Sequence, residues 1–404
     1  LATTAATSVA IGGTALENTT TAADNVAVGW GSLRANTTGS NNTAVGKNAG
    51  NDVTTGVNNV LIGSLAGDAL TDADNNVAMG KESLGGDTLG SRSVAIGAFS
   101  LYNQNFTSAT NTYNTAVGYG AGESVTTGTG NTAIGGLALD ATTTSADNTA
   151  VGYQALTTNT TAANNTAVGV SSLKLTTTGP NNTAVGRSAL LANTTGTENV
   201  AVGASALAAV TTGSYNHAFG KGAGFALTTG ATNIAIGNAA LSTATTADGN
   251  TAIGHSAMTA NTSGASNVAV GLNVLDANTT GANNVAVGAS ALGANTTGEL
   301  NVGLGASSLL DNTTGARNVA LGAFALTNNT TASFNTAIGD GALAANTTGA
   351  SNVAAGHDAM QDNTTGLENA AVGKGALKNN TTGRNNSAIG MEPLQANTTG
   401  DNNT

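Results

Sequence analysis

Three histidines, His217, His255 and His357, are the imidazoles from which a metal site or a general base would have to be built. His255 and His357 occupy the same place in a 17-residue repeat but lie six periods apart, and His217 occupies a different place. At about 4.8 Å per period the first two are separated by about 29 Å, far beyond the roughly 2 Å reach of ligands sharing a metal. Asp72 and Asp74 are close in sequence, yet no Gly-Gly-x-Gly-x-Asp repeat accompanies them, so they read as solvated surface acids rather than a calcium ladder. Ser and Thr are abundant, but no His or buried acid recurs beside them to activate a nucleophile. The glycines follow the repeat and form neither a phosphate loop nor a dinucleotide fingerprint. Paired carboxylates for glycoside chemistry would need a cleft, which a uniform repeat does not supply. The expectation is a chain without catalysis, metal or cofactor. Aromatic side chains are what remains: Trp30, Tyr119 and Tyr153 share one repeat position and could stack on sugars. Tyr102, Phe106 and Tyr113 fall in the one irregular stretch. Trp30, Tyr102, Phe106, Tyr119 and Tyr153 are the candidate ligand contacts, although isolated surface aromatics are ordinary and that plainer reading is preferred.

The element that must carry these residues is the repeat itself. A pattern Asn-Val/Thr-Ala-Val/Ile-Gly begins at Ser8, returns every 17 residues to Ser93, resumes at Asn114 and runs without slippage to Asn386, giving 23 copies. A short fixed period implies a unit that cannot bury its apolar face alone and is stacked until its neighbours bury it. Positions are numbered from the Asn, so Asn25 is position 1 and Asn41 position 17. Position 5 is Gly in all 23 copies, which calls for positive φ or a backbone pressed against its neighbour. Position 3 is Ala in 21 copies, with Leu61 and Gly303 as the exceptions, which points to tight packing. Val, Ile and Thr at positions 2 to 4 favour a short strand.

Position 9 is Leu in 17 copies and Met in two, Met258 and Met360; Gly50, Gly67, Gly122 and Gly224 fill the other four. In those four, position 12, usually Asn, becomes Val53, Leu70, Val125 or Leu227. The apolar volume has moved three residues along, which makes sense if positions 9 and 12 reach one interior slot. Position 6 accepts Trp30, Lys47, Tyr119, Arg187, His255 and Asp340 alike and reads as a solvent-facing row. Positions 12 to 15, typically Asn36-Thr37-Thr38-Gly39, read as a second strand edge and a turn. The Asn-Thr-Thr triplets match a glycosylation sequon, but Asn and Thr ladders bonding side chain to side chain along the axis account for them.

The fold class expected is all-β: a parallel β-solenoid of 17-residue coils, a rod on the order of 110 Å long at the usual strand spacing. Residues 1–404 form one array, with 94–113 carrying a four-residue insertion placed around Tyr102 to Phe106. Insertions are the ordinary way repeats vary; a ligand-contacting bulge carrying Tyr102, Phe106 and Tyr113 is the sharper alternative. Composition agrees with thin layers: aromatics are 3%, charged residues 8%, and there are 56 Gly and no Cys. A formal charge of −11 disfavours nucleic acid and anionic membrane as partners. No apolar run approaches the roughly 18 residues that cross a bilayer. Leu1 and Thr404 both fall in mid-repeat, so the sequence reads as a window on a longer protein whose open coil ends would recruit further chains into long filaments.

The strings Ser8-Val9-Ala10-Ile11-Gly12 and Ser93-Val94-Ala95-Ile96-Gly97 resemble the head repeats of YadA-like trimeric autotransporter adhesins. Similar Asn-Thr-Ala-Val-Gly repeats occur in bacteriophage tail fibres and large bacterial surface proteins. The resemblance covers essentially the whole chain. It implies a left-handed β-roll, a homotrimer, and a role in reach and attachment at the cell surface or on a virion tail fibre. The expected function is an extracellular structural filament or adhesin stalk, the alternative a fibre that binds a receptor or glycan. The expected partners are further copies of itself and a host-surface glycan or protein. The Ala and Gly at positions 3 and 5 share one side of the strand, so either the opposite wall of the coil or a neighbouring chain packs there.

Overall fold

The structure, a computed structural model, describes residues 7–404; the opening of the repeat at Leu1 lies outside the described residues. The chain divides into two compact units, Leu1–Asn199 and Val200–Thr404. A solenoid coil touches only its neighbours, so nothing requires distant coils to share one compact body. Each unit is a parallel β-solenoid with no helix among the described residues. The first carries eleven three-residue strands at the repeat positions, from Val9–Ile11 to Thr183–Val185; the second carries twelve, from Val200–Val202 to Ser387–Ile389.

The strand occupies positions 2 to 4 and pairs in register with its equivalent one coil on: Val26 with Thr43, Ala27 with Ala44, Val28 with Val45. Only the middle residue points inward. Ala27, Ala44 and Ala286 are fully buried, while positions 2 and 4 face out, because strand side chains alternate. The Ala face therefore meets the opposite wall of its own coil. At Gly303 an added Cβ would lie 3.0 Å from Ser308 Oγ and 3.6 Å from Leu292 Cδ1.

Hydrogen bonding continues far beyond the strand. Around one coil, Val26 N–H donates to Asn42 O at 2.9 Å, Leu33 N–H to Ala49 O at 3.0 Å, Ala35 N–H to Asn51 O at 2.9 Å and Thr37 N–H to Thr54 O at 2.9 Å. In the other direction Gly46 N–H donates to Val28 O at 2.8 Å and Asn48 N–H to Trp30 O at 2.8 Å. Each coil is thus bonded to both neighbours round its circumference, which satisfies backbone groups that a core this thin could not otherwise bury. At position 5 the glycine is enforced twice. Gly220 has φ +135, and a Cβ there would stand 2.6 Å from Gly237 O in the next coil.

The shared slot of positions 9 and 12 is present, for a reason the sequence hides. Position 9 is left-handed: Leu33 has φ 47, Leu190 φ 49 and Met360 φ 48. A side chain there costs about 1–2 kcal/mol, and burying a leucine returns about 1.5–3 kcal/mol. Gly50, Gly67, Gly122 and Gly224 adopt the same turn, with φ between 56 and 61, without that strain. The position-12 side chain then fills the interior. A Cβ on Gly122 would lie 3.5 Å from Val125 Cγ2, and one on Gly67 would lie 2.9 Å from Leu70 Cδ1. Leu61, the odd residue at position 3, belongs to the same compensation. Its methyls stand 2.5 Å from the Cβ position of Gly50 and 2.7 Å from that of Gly67. Two adjacent coils lack a position-9 side chain, and one leucine between them takes up the space.

Asparagines at position 1 from Asn25 to Asn386 and at position 12 from Asn36 to Asn380 are buried. Asn42 N–H donates to Asn25 Oδ1 at 2.8 Å, and Asn42 Nδ2 donates to Gly56 O at 2.8 Å. Position 12 adds a second ladder in which Asn278 Nδ2 donates to Asn261 Oδ1 at 2.9 Å and Asn295 Nδ2 to Asn278 Oδ1 at 2.8 Å. The position-12 asparagines of the Asn-Thr-Thr triplets from Asn36 to Asn380 are thus enclosed and spent on the fold, while Asn18 of Asn18-Thr19-Thr20 is exposed. Two expectations are corrected. Thr ladders are not side chain to side chain: Thr296 Oγ1 donates to the Thr313 carbonyl at 3.0 Å, the same carbonyl that accepts the Thr296 N–H at 2.9 Å in the backbone bonding between coils. Positions 12 to 15 form no second strand in the regular coil. Asn278 folds its Nδ2 back to Gly281 O at 3.0 Å, closing a turn where a strand would have to run straight.

The insertion lies later than its sequence placement. Coil register holds through Asn105, whose N–H donates to Thr126 O at 3.0 Å, so the extra residues follow it. They are not looped out. Thr110–Asn111 pairs with Gly90–Ser91 as a second parallel strand, above a buried polar cluster. Asp87 accepts from Gly90 N–H and Phe106 N–H, both at 3.1 Å, and from Gln104 Nε2 at 2.6 Å. Asn114 Nδ2 donates to Gln104 Oε1 at 2.8 Å, and Ser93 and Thr112 share a hydroxyl contact at 2.6 Å. Here the carboxylate and the longer amide replace the position-12 asparagines and reach across the wider coil.

Candidate functional site

The histidines stay apart in role. His217 is exposed on a strand, His255 Nδ1 lies 3.0 Å from Ser256 Oγ, and His357 Nδ1 lies 3.5 Å from Asp358 Oδ2, which Lys378 Nζ also meets at 3.0 Å. Among the described residues no group of three His, Cys, Asp or Glu could hold a metal ion. Asp72 and Asp74 accept bonds from the preceding coil, from Thr55 Oγ1 and from Val57 N–H respectively. They close the turn and do not face each other as a ligand pair.

The candidate contacts separate. Phe106 is only 6% exposed and its N–H donates to Asp87 Oδ1 at 3.1 Å, which corrects its assignment as a ligand contact: a ring buried in the coil presents almost no surface to a ligand. Tyr113 leaves the proposed bulge too and lies under Arg92, whose guanidinium carbon is 5.8 Å from the ring centroid. Trp30 is exposed, with Lys47 Nζ 5.8 Å from its centroid. Tyr153 is exposed and leans over Gly136, whose Cβ position is 3.6 Å from Tyr153 Cδ2.

Tyr102 and Tyr119 join a residue that the sequence reading overlooked. Phe99, at position 7, meets Tyr102 at 5.9 Å and Tyr119 at 5.8 Å between centroids, edge to face at 83° and 82°. Lys81 Nζ stands 5.2 Å from the Phe99 centroid and 3.1 Å from Glu82 Oε1. Positions 6, 7 and 10 of adjacent coils therefore converge on one surface. The signal is present in the period, since aromatics at those positions in successive coils must be neighbours.

Carboxylates border the rings. Asp68 and Tyr102 both approach Gly85, each 3.4 Å from its Cβ position, and Glu123 Oε2 lies 3.1 Å from that of Gly120. Burial pushes Asp68 up to about 6, with Asp52 and Glu82 adding repulsion against a backbone hydrogen bond that lowers it. Glu123 is raised by burial and by Asp140, and Asp140 by burial. For Asp68 the folded state binds its proton more tightly than the unfolded chain. Its contribution to stability is therefore favourable near pH 4 and is lost as pH rises through about 6. Asp68→Asn is expected to stabilise the first unit at pH 7.5 by about 1 kcal/mol after solvent screening. That advantage should vanish near pH 4 in paired denaturant titrations.

The strand face is the other notable surface. In the second unit Phe219, Ile236, Val287, Leu304, Ile338 and Val372 at position 4 are each 38% to 44% exposed. Position 2 adds Val268, Val285, Val302 and Val319 beside them, half-buried. At roughly 50 Å² per outward apolar side chain, the twelve strands present on the order of 1,000 Å² of apolar stripe. Patches on monomers usually reach about 300–600 Å². Comparison with models of known protein families and with curated proteins finds no match.

Proposed function

We propose that the chain is a non-catalytic extracellular structural filament or adhesin stalk that associates with further copies of itself and supplies reach, rigidity and surface attachment. The observation that carries this reading is the apolar stripe of positions 2 and 4, which exceeds the area a lone chain ordinarily exposes and matches the about 800 Å² per partner of a standard interface. The resemblance to YadA-like head repeats points to three chains and a left-handed roll. Within each unit, bonding of successive coils round their circumference favours a stiff element.

Light scattering coupled to gel filtration tests the association: a trimer mass is expected, and a monomer at tens of micromolar would remove it. Leu304→Lys with Ile338→Lys should lower the mass to that of one chain while the circular dichroism is retained, because both side chains point away from the core. A second reading, a fibre that binds a receptor or glycan, is favoured by the Phe99, Tyr102 and Tyr119 cluster.

A further inference from the structure

We propose that the surface built by Phe99, Tyr102 and Tyr119, with its rim of carboxylates, is a binding site for an uncharged oligosaccharide. The inference rests on the second reading above and not on self-association.

The rings come from two successive coils and touch edge to face. Tyr102 and Tyr119 remain 36% and 61% exposed. Exposed rings of this kind offer the apolar faces on which the C–H face of a pyranose packs, with polar groups beside them to fix its orientation. Gly85, Gly120 and Gly136 lie at positions 10, 7 and 6 around the cluster, and the space their side chains would fill is taken by Tyr102 and Asp68, by Glu123, and by Tyr153.

The rim decides the ligand class. Asp68, Glu82, Glu123 and Asp140 occupy positions 7 and 10 in the coils around the rings. Ionised carboxylates are acceptors only and suit a partner rich in hydroxyl donors. Lys81 is the cation here, and it is engaged by Glu82 at 3.1 Å and by the Phe99 ring. A uronic or sialic acid would meet net negative charge with no free cation, and repulsion between like charges would exclude it. A protein partner would call for a desolvated pocket enclosed by apolar contacts, whereas Tyr102 and Tyr119 are exposed and ringed by acceptors. In the second unit, position 6 of three successive coils carries Ala289, Ala306 and Ala323, so the cluster is a local feature and not a property of the repeat.

Saturation-transfer NMR on the intact chain would use cellohexaose, mannohexaose and N-acetylchitohexaose as neutral probes, with hexagalacturonate as the anionic one. At least one neutral probe should receive saturation and hexagalacturonate none. Tyr102→Ala with Tyr119→Ala should weaken the bound probe by about tenfold or more. Tyr102→Phe with Tyr119→Phe should retain binding, as should Trp30→Ala, which removes an aromatic outside the cluster. Tyr119→Ala alone, at the most exposed ring, serves as a variant that leaves packing intact. Silence from all three neutral probes, preference for hexagalacturonate, or undiminished binding by the double alanine variant would each overturn the site. The light-scattering mass is a separate measurement, so loss of this site and loss of the trimer are told apart.

Discussion

Gly220→Ala is expected to destabilise its coil by about 4 kcal/mol, while Gly222→Ala, two residues along, costs about 1 kcal/mol. Three glycines of one coil sit in three environments. Gly220 has φ +135 and a neighbouring carbonyl oxygen 2.6 Å from its Cβ position, so backbone strain and a clash with unyielding backbone coincide. Gly222 has φ +65 and nothing within 4 Å; one coil on, Ala239 already adopts φ 55 at the same position. Gly224 lies between, with φ +61 and Leu207 Cδ2 at 2.6 Å. Gly224→Ala is expected to cost about 2 kcal/mol, because a flexible leucine can move where a backbone carbonyl cannot. A repeat array need not unfold in one step, so the measurement is amide hydrogen exchange read by mass spectrometry on peptides covering 216–240. Protection should fall in the order Gly222→Ala, Gly224→Ala, Gly220→Ala. Equal losses at Gly220 and Gly222 would refute the stacking of position-5 backbones as the determinant.

The second large effect is a coupling. Gly122→Leu alone should cost about 2 kcal/mol, since it adds a side chain to a left-handed position facing Leu101 Cδ2, 3.0 Å from its Cβ. Val125→Asn alone should cost about 3 kcal/mol by emptying part of the slot and placing an amide in it. Together they restore the usual Leu and Asn of positions 9 and 12, and the amide can reach the carbonyl of Gly128 as Asn36 reaches that of Gly39 at 2.9 Å. The double variant is expected to cost about 2 kcal/mol, a coupling of about 3 kcal/mol in the cycle. Hydrogen exchange across 114–138 reads it. Additive losses would mean that the two positions do not share one space.

Much of the molecule was legible in its sequence because each coil repeats one set of contacts. The near-invariant Ala of position 3 marked the inward side of the strand, the invariant Gly of position 5 marked the stacking of one coil's backbone on the next, and the trade between positions 9 and 12 marked the core. Those signals are strong because any side chain that breaks a contact breaks it against two neighbours. Other features left no such mark. Leu33 at φ 47 looks like an ordinary core leucine, since the cost of its left-handed backbone is offset by burial that only the closed coil provides. Thr296 bonds the Thr313 carbonyl, not a hydroxyl, because its own N–H already holds that carbonyl between the coils.

The candidate site divides along the same line. Its rings are individually plain in the sequence, at Tyr102 and Tyr119, but Phe99 joins them only because the turn at positions 7 to 10 brings successive coils into edge-to-face contact. Phe106 belongs to the same irregular stretch, yet it is buried, with its N–H bonded to Asp87. The sequence alone determined the period, the class of fold and the inward and outward rows, because a fixed spacing in a stacked chain sets which residues become neighbours. Tertiary structure decided the handedness of the backbone at each turn, the acceptors of the buried ladders, and which exposed rings meet. Those choices turn on distances of an ångström or less between coils, and residue spacing does not encode them.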